Sequence, residues 1–352
     1  MFTTVRQEAR MTTIKDIARL SGYSIGTISR VLNNHPDVSE ETRKKVQEVI
    51  VREGYQPNSN AKLLKQRTYS SITILVKGRM NVFFGSIVEN IQTLLRENGE
   101  EAVVEYIDDF ANEVLAAVQI CLERRPKGLI FLGGNIEYFR HDFGKIEVPS
   151  VLLTNSAAGL GFDNLSSFTT DDTAASQEAI DYLIRAGHTR IGIIGGSANE
   201  TDEGHIDFQR LAGCEKIFAR HKIPFDPALQ YQPCRFSLRD GYEAADILLH
   251  RDPSLTAIFA MGDIIALGAM RAAVDSGRRI PDDLSLIGYD GIPYARYSIP
   301  RLSTIRQDAQ SIARRGVEDL LLRINYDRRP VHETVGFRVI AGETVKPLKK
   351  AY

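Results

Sequence analysis

Few cysteines and no long apolar run occur in this chain of 352 residues, and each scarcity narrows the protein class. The three cysteines, Cys121, Cys214 and Cys234, are odd in number and lack CxxC spacing, which predicts reduced thiols and not a disulfide framework. No stretch approaches the roughly 18 apolar residues of a membrane span. Residues 1–10 lack the apolar core of a secretory signal. We therefore expect a cytoplasmic protein with no membrane partner.

Signatures of metal sites and of common enzyme classes are also missing. The seven histidines show no HExxH-type spacing, so no metal site is predicted. The pair Gly195 and Gly196 comes nearest to a phosphate-binding loop, but its surroundings match neither GxGxxG nor GxxxxGKS/T, and no GxSxG elbow is present. The chain is therefore predicted not to be an enzyme and to need no cofactor.

The charge of the chain is unevenly distributed, although its composition is that of an ordinary globular protein. With 43% hydrophobic and 25% charged residues, the chain has room for two or three domains. Residues 1–68 carry a net charge of +5, and the remainder carries −6. A basic segment on an acidic body indicates a polyanionic partner, but an ordinary fluctuation of surface charge gives the same pattern, so the motifs must decide.

The basic segment is predicted to form three short helices. Caps at Thr13, Ser24 and Ser39 begin them, and Gly22 and Gly54 end the first and the third. Apolar side chains at helical spacing give them a buried side: Ile14, Ile17, Ala18, Leu20, Ile28, Val31, Leu32, Val46, Val49 and Ile50. The tight turn between the first two helices indicates a helix-turn-helix, with a purely structural helical hairpin as the alternative.

The second helix of such a motif enters the major groove of DNA, where its first residues meet base edges. Hydroxyl groups suit phosphates and bases, and an arginine can bind guanine. The candidate contacts on this helix are Ser24, Ile25, Gly26, Thr27, Ser29 and Arg30.

Three stretches together carry a resemblance to a known family. TIKDIA at 13–18 and SIGTISRVLN at 24–33 resemble the N-terminus of the LacI/GalR family of bacterial transcription regulators. GYQPNSNAKLL at 54–64 resembles the hinge of that family, and the resemblance extends over nearly all of the chain from Met11. It implies that Thr13 and Asn33 also contact DNA.

The resemblance implies a hinge helix that folds only when two copies meet on the operator. A helix this short is marginal by itself, since isolated helices under about 12–15 residues are unstable in water. The resemblance assigns Leu64 as the side chain that wedges between base steps in the minor groove. It places Tyr55 and Asn58 near phosphates, and Lys62 stands where arginine is usual. For Leu64, an ordinary linker hydrophobe is the alternative.

The remainder of the chain predicts a two-lobed α/β domain. Apolar runs alternate with amphipathic stretches, which indicates parallel strands joined by helices. Strands are expected at 72–76, 102–106, 128–132, 150–153, 191–194, 257–260 and 285–288, and helices at 83–97, 113–123, 173–186 and 240–249. The stretch 155–168, rich in Gly, Ser and Asn, separates two doubly wound lobes. Since ligands bind outside the carboxyl ends of such strands, the cleft between the lobes is the expected pocket.

The predicted fold is thus an all-α helix-turn-helix domain with a hinge helix, followed by a two-lobed effector domain like that of periplasmic binding proteins. Residues 1–10 are expected to be a non-native or disordered extension, the alternative being an arm whose Arg6 and Arg10 touch DNA. The predicted domains are residues 11–56 for DNA binding, 57–70 for hinge and linker, and 71–352 for effector binding and dimerisation, with lobes at about 71–160 plus 293–325 and 161–292 plus 326–352.

The resemblance continues through the body, in NVFF at 81–84, GHTRIG at 187–192, RLAG at 210–213, GDIIALGA at 262–269, PDDLSLIGYD at 281–290 and LSTIRQD at 302–308. It carries the family's effector-binding positions onto Phe83, Phe84, Thr154, Arg210, Phe236, Asp263 and Asp290. Arg210 would donate two parallel hydrogen bonds from its guanidinium to effector oxygens. Asp263 would accept hydrogen bonds from hydroxyls, and Phe236 would stack on a sugar or base.

Each of these assignments has a structural alternative. Phe83 and Phe84 could be core residues, Arg210 could form a surface ion pair, and Asp263 could cap a helix. His188 is expected to be structural. Gly262 and Gly291 replace the Asn and Asp that are usual in the family, which leaves the effector open between a sugar, the expected class, and a nucleobase.

The family implies a homodimer that binds palindromic double-stranded DNA, with two recognition helices about one helical turn apart. Effector binding and hinge folding would share one coupling free energy, so the effector is either an inducer or a corepressor. Residues 347–352 lack leucine heptads, which predicts a dimer without a tetramer bundle. We expect a repressor located in the bacterial cytoplasm, at the nucleoid when DNA-bound. The alternative of a solute-binding receptor would have no use for residues 13–64.

Overall fold

The computed structural model describes residues 13–32, 37–53, 71–78, 81–196 and 204–348. The chain divides into two compact units, residues 1–67 and 68–352. Among the described residues, no helix is long and apolar enough to cross a membrane. No group of three or more His, Cys, Asp or Glu side chains in these ranges is placed to hold a metal ion.

The N-terminal unit contains the three predicted helices: α1 (Ile14–Ser21), α2 (Ile25–Leu32) and α3 (Glu40–Arg52). Thr13 and Asp16 form a reciprocal capping box at the start of α1, and Gly22 ends this helix with a φ of 76°. The Ser24 hydroxyl accepts a hydrogen bond of 3.1 Å from the Thr27 backbone N–H. The Ser39 hydroxyl caps α3 in the same way. These caps were predicted from the sequence and are confirmed.

The core of this unit consists of Ile17, Ile28, Val31, Val46 and Val49. Leu20 was predicted to join them, and this is wrong, because its side chain is 44% exposed. Successive residues turn about 100° around a helix axis. Leu20 therefore lies about 160° from Ala18, which packs against the core, and so falls on the opposite, exposed edge of the buried side of α1.

The second unit is built on two six-stranded sheets. In chain order, the strands are β1 (Ser71–Lys77), β2 (Glu101–Ile107), β3 (Gly128–Leu132), β4 (Ser150–Leu153), β5 (Leu165–Thr170), β6 (Ile191–Ile194), β7 (Tyr231–Gln232), β8 (Ala257–Ala260), β9 (Ser285–Asp290), β10 (Ser303–Gln307), β11 (His332–Val335) and β12 (Phe337–Ile340). The first sheet has the order β11-β5-β4-β3-β1-β2 and is parallel throughout. The second has the order β12-β10-β9-β8-β6-β7, in which only β12 is antiparallel to its neighbour.

Helices connect these strands. They are α4 (Val82–Glu97), α5 (Glu113–Arg124), α6 (Ile136–Asp142), α7 (Asp172–Arg185), α8 (Ile206–His221), α9 (Pro227–Gln230), α10 (Leu238–Arg251), α11 (Asp263–Asp275), α12 (Pro293–Tyr297) and α13 (Ala309–Asn325). Alternate residues of β1 enter different cores: Ile74 packs with α4, and Leu75 packs with α5. Both faces of the sheet are therefore covered, as is usual for parallel sheets.

The predicted strands are confirmed to within two residues at each end, but the predicted boundaries between the lobes were wrong in three places. β5 belongs to the first sheet, because Ser150 to Leu153 of β4 pair with residues 165–168. β10 belongs to the second sheet, where it pairs with β9. β11 returns to the first sheet beside β5. The chain therefore crosses between lobes after β5, after β10 and between β11 and β12.

Candidate functional site

A cavity of about 390 Å³ lies between the two lobes, outside the carboxyl ends of their strands. Lys77, Asp290 and Gln307 are the last residues of β1, β9 and β10, and Thr154 directly follows β4. The wall of the cavity includes six of the seven predicted effector-binding residues: Phe83, Phe84, Thr154, Arg210, Phe236 and Asp290. Phe83 is also buried in the core of the first lobe. It is therefore a core residue, as the structural alternative supposed, and a wall residue of the cavity at the same time.

Asp263 is the predicted effector contact that the structure does not bring to the cavity wall. Its side chain is completely buried, and Oδ1 accepts a hydrogen bond of 2.6 Å from the Thr304 hydroxyl. Oδ2 accepts a hydrogen bond of 2.8 Å from the Ile292 backbone N–H. Asp263 is not a helix cap either, because Gly262 occupies the N-cap of α11. Burial and the nearby Asp290 raise the pKa of the Asp263 carboxyl well above its ordinary value.

Arg210 forms a buried ion pair beneath the cavity, which excludes the surface ion pair considered as its alternative. Its Nε lies 2.7 Å from Oδ1 of Asp172, which also accepts a hydrogen bond of 2.8 Å from the Tyr289 hydroxyl. The guanidinium carbon lies 3.9 Å from the centre of the Tyr289 ring and 5.9 Å from that of Phe236. Burial raises the pKa of Asp172, although the charge of Arg210 opposes this rise.

Asp290 and Phe236 form an adjoining part of the wall. Oδ1 of Asp290 accepts a hydrogen bond of 2.8 Å from Nε2 of Gln307. Burial raises the pKa of Asp290 to about 7, although the charge of Arg210 acts against this. A Cβ atom at Gly262 would lie 3.0 Å from the Phe236 ring. Glycine in place of the family's usual asparagine therefore gives this ring the space that it occupies.

Several wall residues were not predicted, and most of them lie at the carboxyl end of a strand or in the loop that follows it. Nζ of Lys77 lies 2.7 Å from the buried Glu113 carboxylate and 4.9 Å from the centre of the Tyr138 ring. The Arg235 guanidinium, in the second lobe, lies 4.4 Å from the centre of the Phe110 ring, in the first lobe. The rule that ligands bind beyond the carboxyl ends of strands would have found such residues, had it been applied to every strand.

The lobes also touch beside the cavity. The Gly204 carbonyl, in the second lobe, accepts hydrogen bonds from the Ile136 backbone N–H at 3.1 Å and from Nδ2 of Asn155 at 3.4 Å. Nε2 of Gln209 donates a hydrogen bond of 3.4 Å to Oδ1 of Asn155. The cleft is therefore closed at this position.

His188 has the structural role that was expected of it. Its ring is buried, with Nδ1 3.0 Å from the Thr256 hydroxyl and Nε2 3.1 Å from the Lys346 carbonyl oxygen. These contacts hold residue Lys346 against the start of β8, and His188 is not among the residues of the cavity wall.

In the N-terminal unit, the predicted DNA contacts on α2 lie on its accessible side. Ser24, Ile25, Gly26 and Arg30 are exposed, and Thr27 and Ser29 are partly exposed. Ile25, the first residue of α2, is 46% exposed. Thr13 is exposed before α1. Five predicted contacts lie outside the described residues: Asn33, Tyr55, Asn58, Lys62 and Leu64.

Two family models match this chain. "Bacterial regulatory proteins, lacI family" matches residues 13–58, and "Periplasmic binding protein-like domain" matches residues 180–345. The HTH-type transcriptional regulator MalR of Clostridium butyricum is 36% identical over 323 residues, which is 91% of this chain and 95% of MalR.

Solved structures agree with this similarity. A complex of the transcriptional regulator CelR with cellobiose is 26% identical at a TM-score of 0.67 and covers 95% of this chain and 99% of CelR. A LacI family transcriptional regulator from Enterococcus faecium with bound ribose is 25% identical at a TM-score of 0.68 and covers 79% of this chain and all of that one. The chain belongs to the LacI family of bacterial transcriptional regulators, which are not enzymes.

Proposed function

We propose that this regulator is a repressor that binds a palindromic operator as a dimer, and that a small sugar in the cleft changes its affinity for DNA. The cavity carries the effector part of the proposal. Phe83 and Phe84 of one lobe and Phe236 of the other supply apolar ring surface, while Arg210 and Asp290 supply polar groups between them. An apolar cavity with a few oriented polar groups is the usual form of a small-molecule site. The cellobiose and ribose complexes of similar regulators favour a sugar over a nucleobase.

The operator part is tested by selecting bound fragments from random DNA and sequencing them. A dimer with one recognition helix in each half-site predicts an enriched palindrome of about 14–20 base pairs. Binding that neutralises several phosphates should weaken steeply with salt, with a slope near −0.9 per phosphate in log–log form. Enrichment of a site without two-fold symmetry would contradict the dimeric arrangement.

Arg30 and Arg52 offer a matched pair for locating the DNA-reading surface. Both are in the last turn of a helix, α2 and α3 respectively, and only α2 is proposed to enter the groove. We expect Arg30→Ala to relax selection at one base pair and to weaken specific binding by about 1–3 kcal/mol. Arg52→Ala should leave base preference unchanged. Equal loss for both variants would argue against base reading by α2.

Exposed apolar side chains after β9 support a dimer. Tyr297 is 75% exposed and Ile299 is 96% exposed, on the segment that follows Pro293. An apolar patch in water usually marks an interaction surface. Tyr297→Asp should therefore raise the dimer dissociation constant at least tenfold in sedimentation experiments, whereas Leu229→Asp, near the β7 edge of the same lobe, should not. Equal behaviour of the two variants would place the interface elsewhere.

The effector is sought by measuring operator affinity in a panel of neutral sugars and nucleobases. We expect a sugar to change the affinity, with the direction of the change showing whether it is an inducer or a corepressor. Phe236→Leu should reduce the response, while Phe162→Leu, whose ring packs on Phe143 away from the cavity, should not. A response to nucleobases alone would favour the alternative effector class.

A further inference from the structure

From the charges around the cavity, we infer that the effector is an uncharged polyhydroxylated molecule, and that carboxylates and phosphate esters are excluded as effectors. The inference rests on the proposed function, since it concerns the same cavity. It is argued from the three Lys and Arg side chains among the described wall residues, which are Lys77, Arg210 and Arg235.

The ammonium group of Lys77 is already neutralised. It lies 2.7 Å from Oε2 of Glu113, and both side chains are buried. The other carboxylate oxygen of Glu113 accepts a hydrogen bond of 2.6 Å from the Asn135 backbone N–H, so Glu113 is fixed in this position. A ligand anion that approached Lys77 would meet the field of a pair and not that of a free cation.

The guanidinium of Arg210 is also neutralised, because Asp172 is its ion-pair partner and Asp290 lies near it. The Nε atom of Arg210 is bound by Asp172, and one terminal nitrogen donates to the Met261 carbonyl oxygen. Asp290, on the cavity wall, is close enough for the two charges to interact. A ligand carboxylate on this guanidinium would have to share it with the Asp172 carboxylate, and it would lie beside the Asp290 carboxyl group, which gains negative charge as pH rises through about 7. A ligand hydroxyl could accept from Arg210 and donate to Asp290.

Arg235 and Asp109 both lie on the wall of the cavity. The guanidinium of Arg235 lies over the Phe110 ring, and its charge opposes the rise in the Asp109 pKa that burial and Asp108 cause. Lys77 acts on Asp109 in the same direction. Each of the three basic side chains therefore has a protein carboxylate within its field.

The wall as a whole has an acidic balance. Four of its described residues are aspartates, namely Asp109, Asp207, Asp240 and Asp290, against the three Lys and Arg side chains. The N-terminus of α4, which could otherwise attract an anion, is capped by Asn81, whose Oδ1 accepts from the backbone N–H groups of Phe83 and Phe84. Sites for carboxylate or phosphate normally offer arginine side chains or backbone N–H groups that have no other anionic partner. This wall instead offers aspartate oxygens, which can accept hydrogen bonds from the hydroxyl groups of a ligand.

Inorganic phosphate tests the charge balance directly, without knowledge of the effector. We would measure the thermal midpoint of the full chain in phosphate and in chloride at equal ionic strength. Because phosphate stabilises folded proteins generally, the wild-type difference between the two salts should be no larger than that of the control variant Glu100→Gln. Glu113→Gln frees the charge of Lys77 and should bind phosphate at least tenfold more tightly than the control Glu100→Gln. Glu100 pairs with Lys127 at 2.9 Å in the same lobe, outside the cavity.

A second variant keeps the test decisive if Glu113→Gln fails to fold. Asp109→Asn, at the cavity edge, should produce the same gain in phosphate binding through Arg235. The inference is overturned if phosphate stabilises the wild type through the cavity, which would be seen as an effect that Arg235→Ala removes and Arg306→Ala keeps. Arg306 is the control because its side chain lies at a different surface groove. It is also overturned if neither freed cation gains phosphate affinity.

Calorimetry with pairs of neutral and anionic sugars provides an independent test, because it compares their binding affinities directly. Glucose would be compared with glucuronate and glucose 6-phosphate, and ribose with ribose 5-phosphate. In any pair that binds, the neutral member should bind at least tenfold more tightly, and the reverse order overturns the inference. Failure of the proposed function would be seen separately, as operator binding that no panel compound changes, while the phosphate comparison would still stand.

Discussion

The carboxylate of Asp263 joins two segments that are distant in sequence, because it accepts hydrogen bonds from both the Thr304 hydroxyl and the Ile292 backbone N–H. The first connects α11 to β10, and the second connects α11 to the loop after β9. Asp263→Ala should leave these buried donors unsatisfied, at about 1–3 kcal/mol of unfolding free energy for each. Urea unfolding of the full chain checks this, with Asp275→Ala at the end of the same helix as control. Unchanged stability with lost sugar affinity would restore a direct effector contact.

Removal of Arg210 should affect stability as well as the effector response. Arg210→Ala leaves the carboxylate of Asp172 buried without its cation, and breaking a buried pair in this way costs about 3–5 kcal/mol. The double variant Arg210→Met with Asp172→Asn should recover part of this loss without restoring the effector response. Urea unfolding and operator binding, measured on the same samples, separate the two effects. A fully stable Arg210→Ala variant would show that the ion pair does not hold the lobe together.

Stability should depend on pH through Asp290. Its pKa of about 7 in the folded chain lies above the ordinary value of 3.8, so the folded state holds a proton that the unfolded state has released. The contribution of this carboxyl to stability is therefore complete below about pH 4 and decreases as pH rises towards 7, by at most about 1.4 kcal/mol per pH unit.

Asp290→Asn should remove this contribution, which can be measured as the difference between variant and wild type in urea unfolding from pH 4 to 8. The pKa values of His188 and His332 are lowered, mainly by burial, and these groups act in the opposite direction. They are present in both proteins and cancel in the difference. A difference that does not vary over this range would contradict a raised pKa at Asp290.

Gly204 should be necessary for the closed position of the cleft. A Cβ atom there would collide with Oδ1 of Asn135 and would lie 2.7 Å from the Glu137 backbone nitrogen. Gly204→Ala should therefore hold the lobes apart and weaken effector binding at least tenfold, which calorimetry and the radius of gyration in solution would show. Gly85→Ala, on α4 with no atom within 4 Å of the added Cβ, is the control. Unchanged sugar affinity in Gly204→Ala would mean that closure is not coupled to binding.

The sequence predicted most of the fold because the information was local. Apolar runs such as residues 128–132 and 150–153 are buried from end to end, and caps such as Ser24 and Ser39 act within one helical turn. β5 was missed because its sequence, LSSFTT, has mostly hydroxyl side chains, although all six residues are buried. Which sheet a strand joins depends on pairing with distant segments, so the lobe boundaries could not be read from the chain.

Residues of the cavity wall were predicted where they lie in or can be aligned with family motifs, and were missed elsewhere. Arg210 and Phe236 could be transferred from motif positions, and both reach the cavity wall. Arg235 and Phe110 could not, because their contact joins residues from different lobes. Asp263 does not reach the cavity wall for a related reason: the motif gives its position in the chain, but its hydrogen bonds with Thr304 and Ile292 decide where the carboxylate lies.

The single residue between β11 and β12 has a mechanical consequence. β11 ends at Val335 in the first sheet and β12 begins at Phe337 in the second, so Gly336 alone spans the two. The strands on either side of Gly336 are fixed in their sheets by hydrogen bonds. The connection can therefore change its shape only through the two backbone dihedral angles of Gly336. Any motion of one lobe against the other must therefore keep these two strand ends within one residue of each other, which favours rotation near Gly336 over sliding of the lobes.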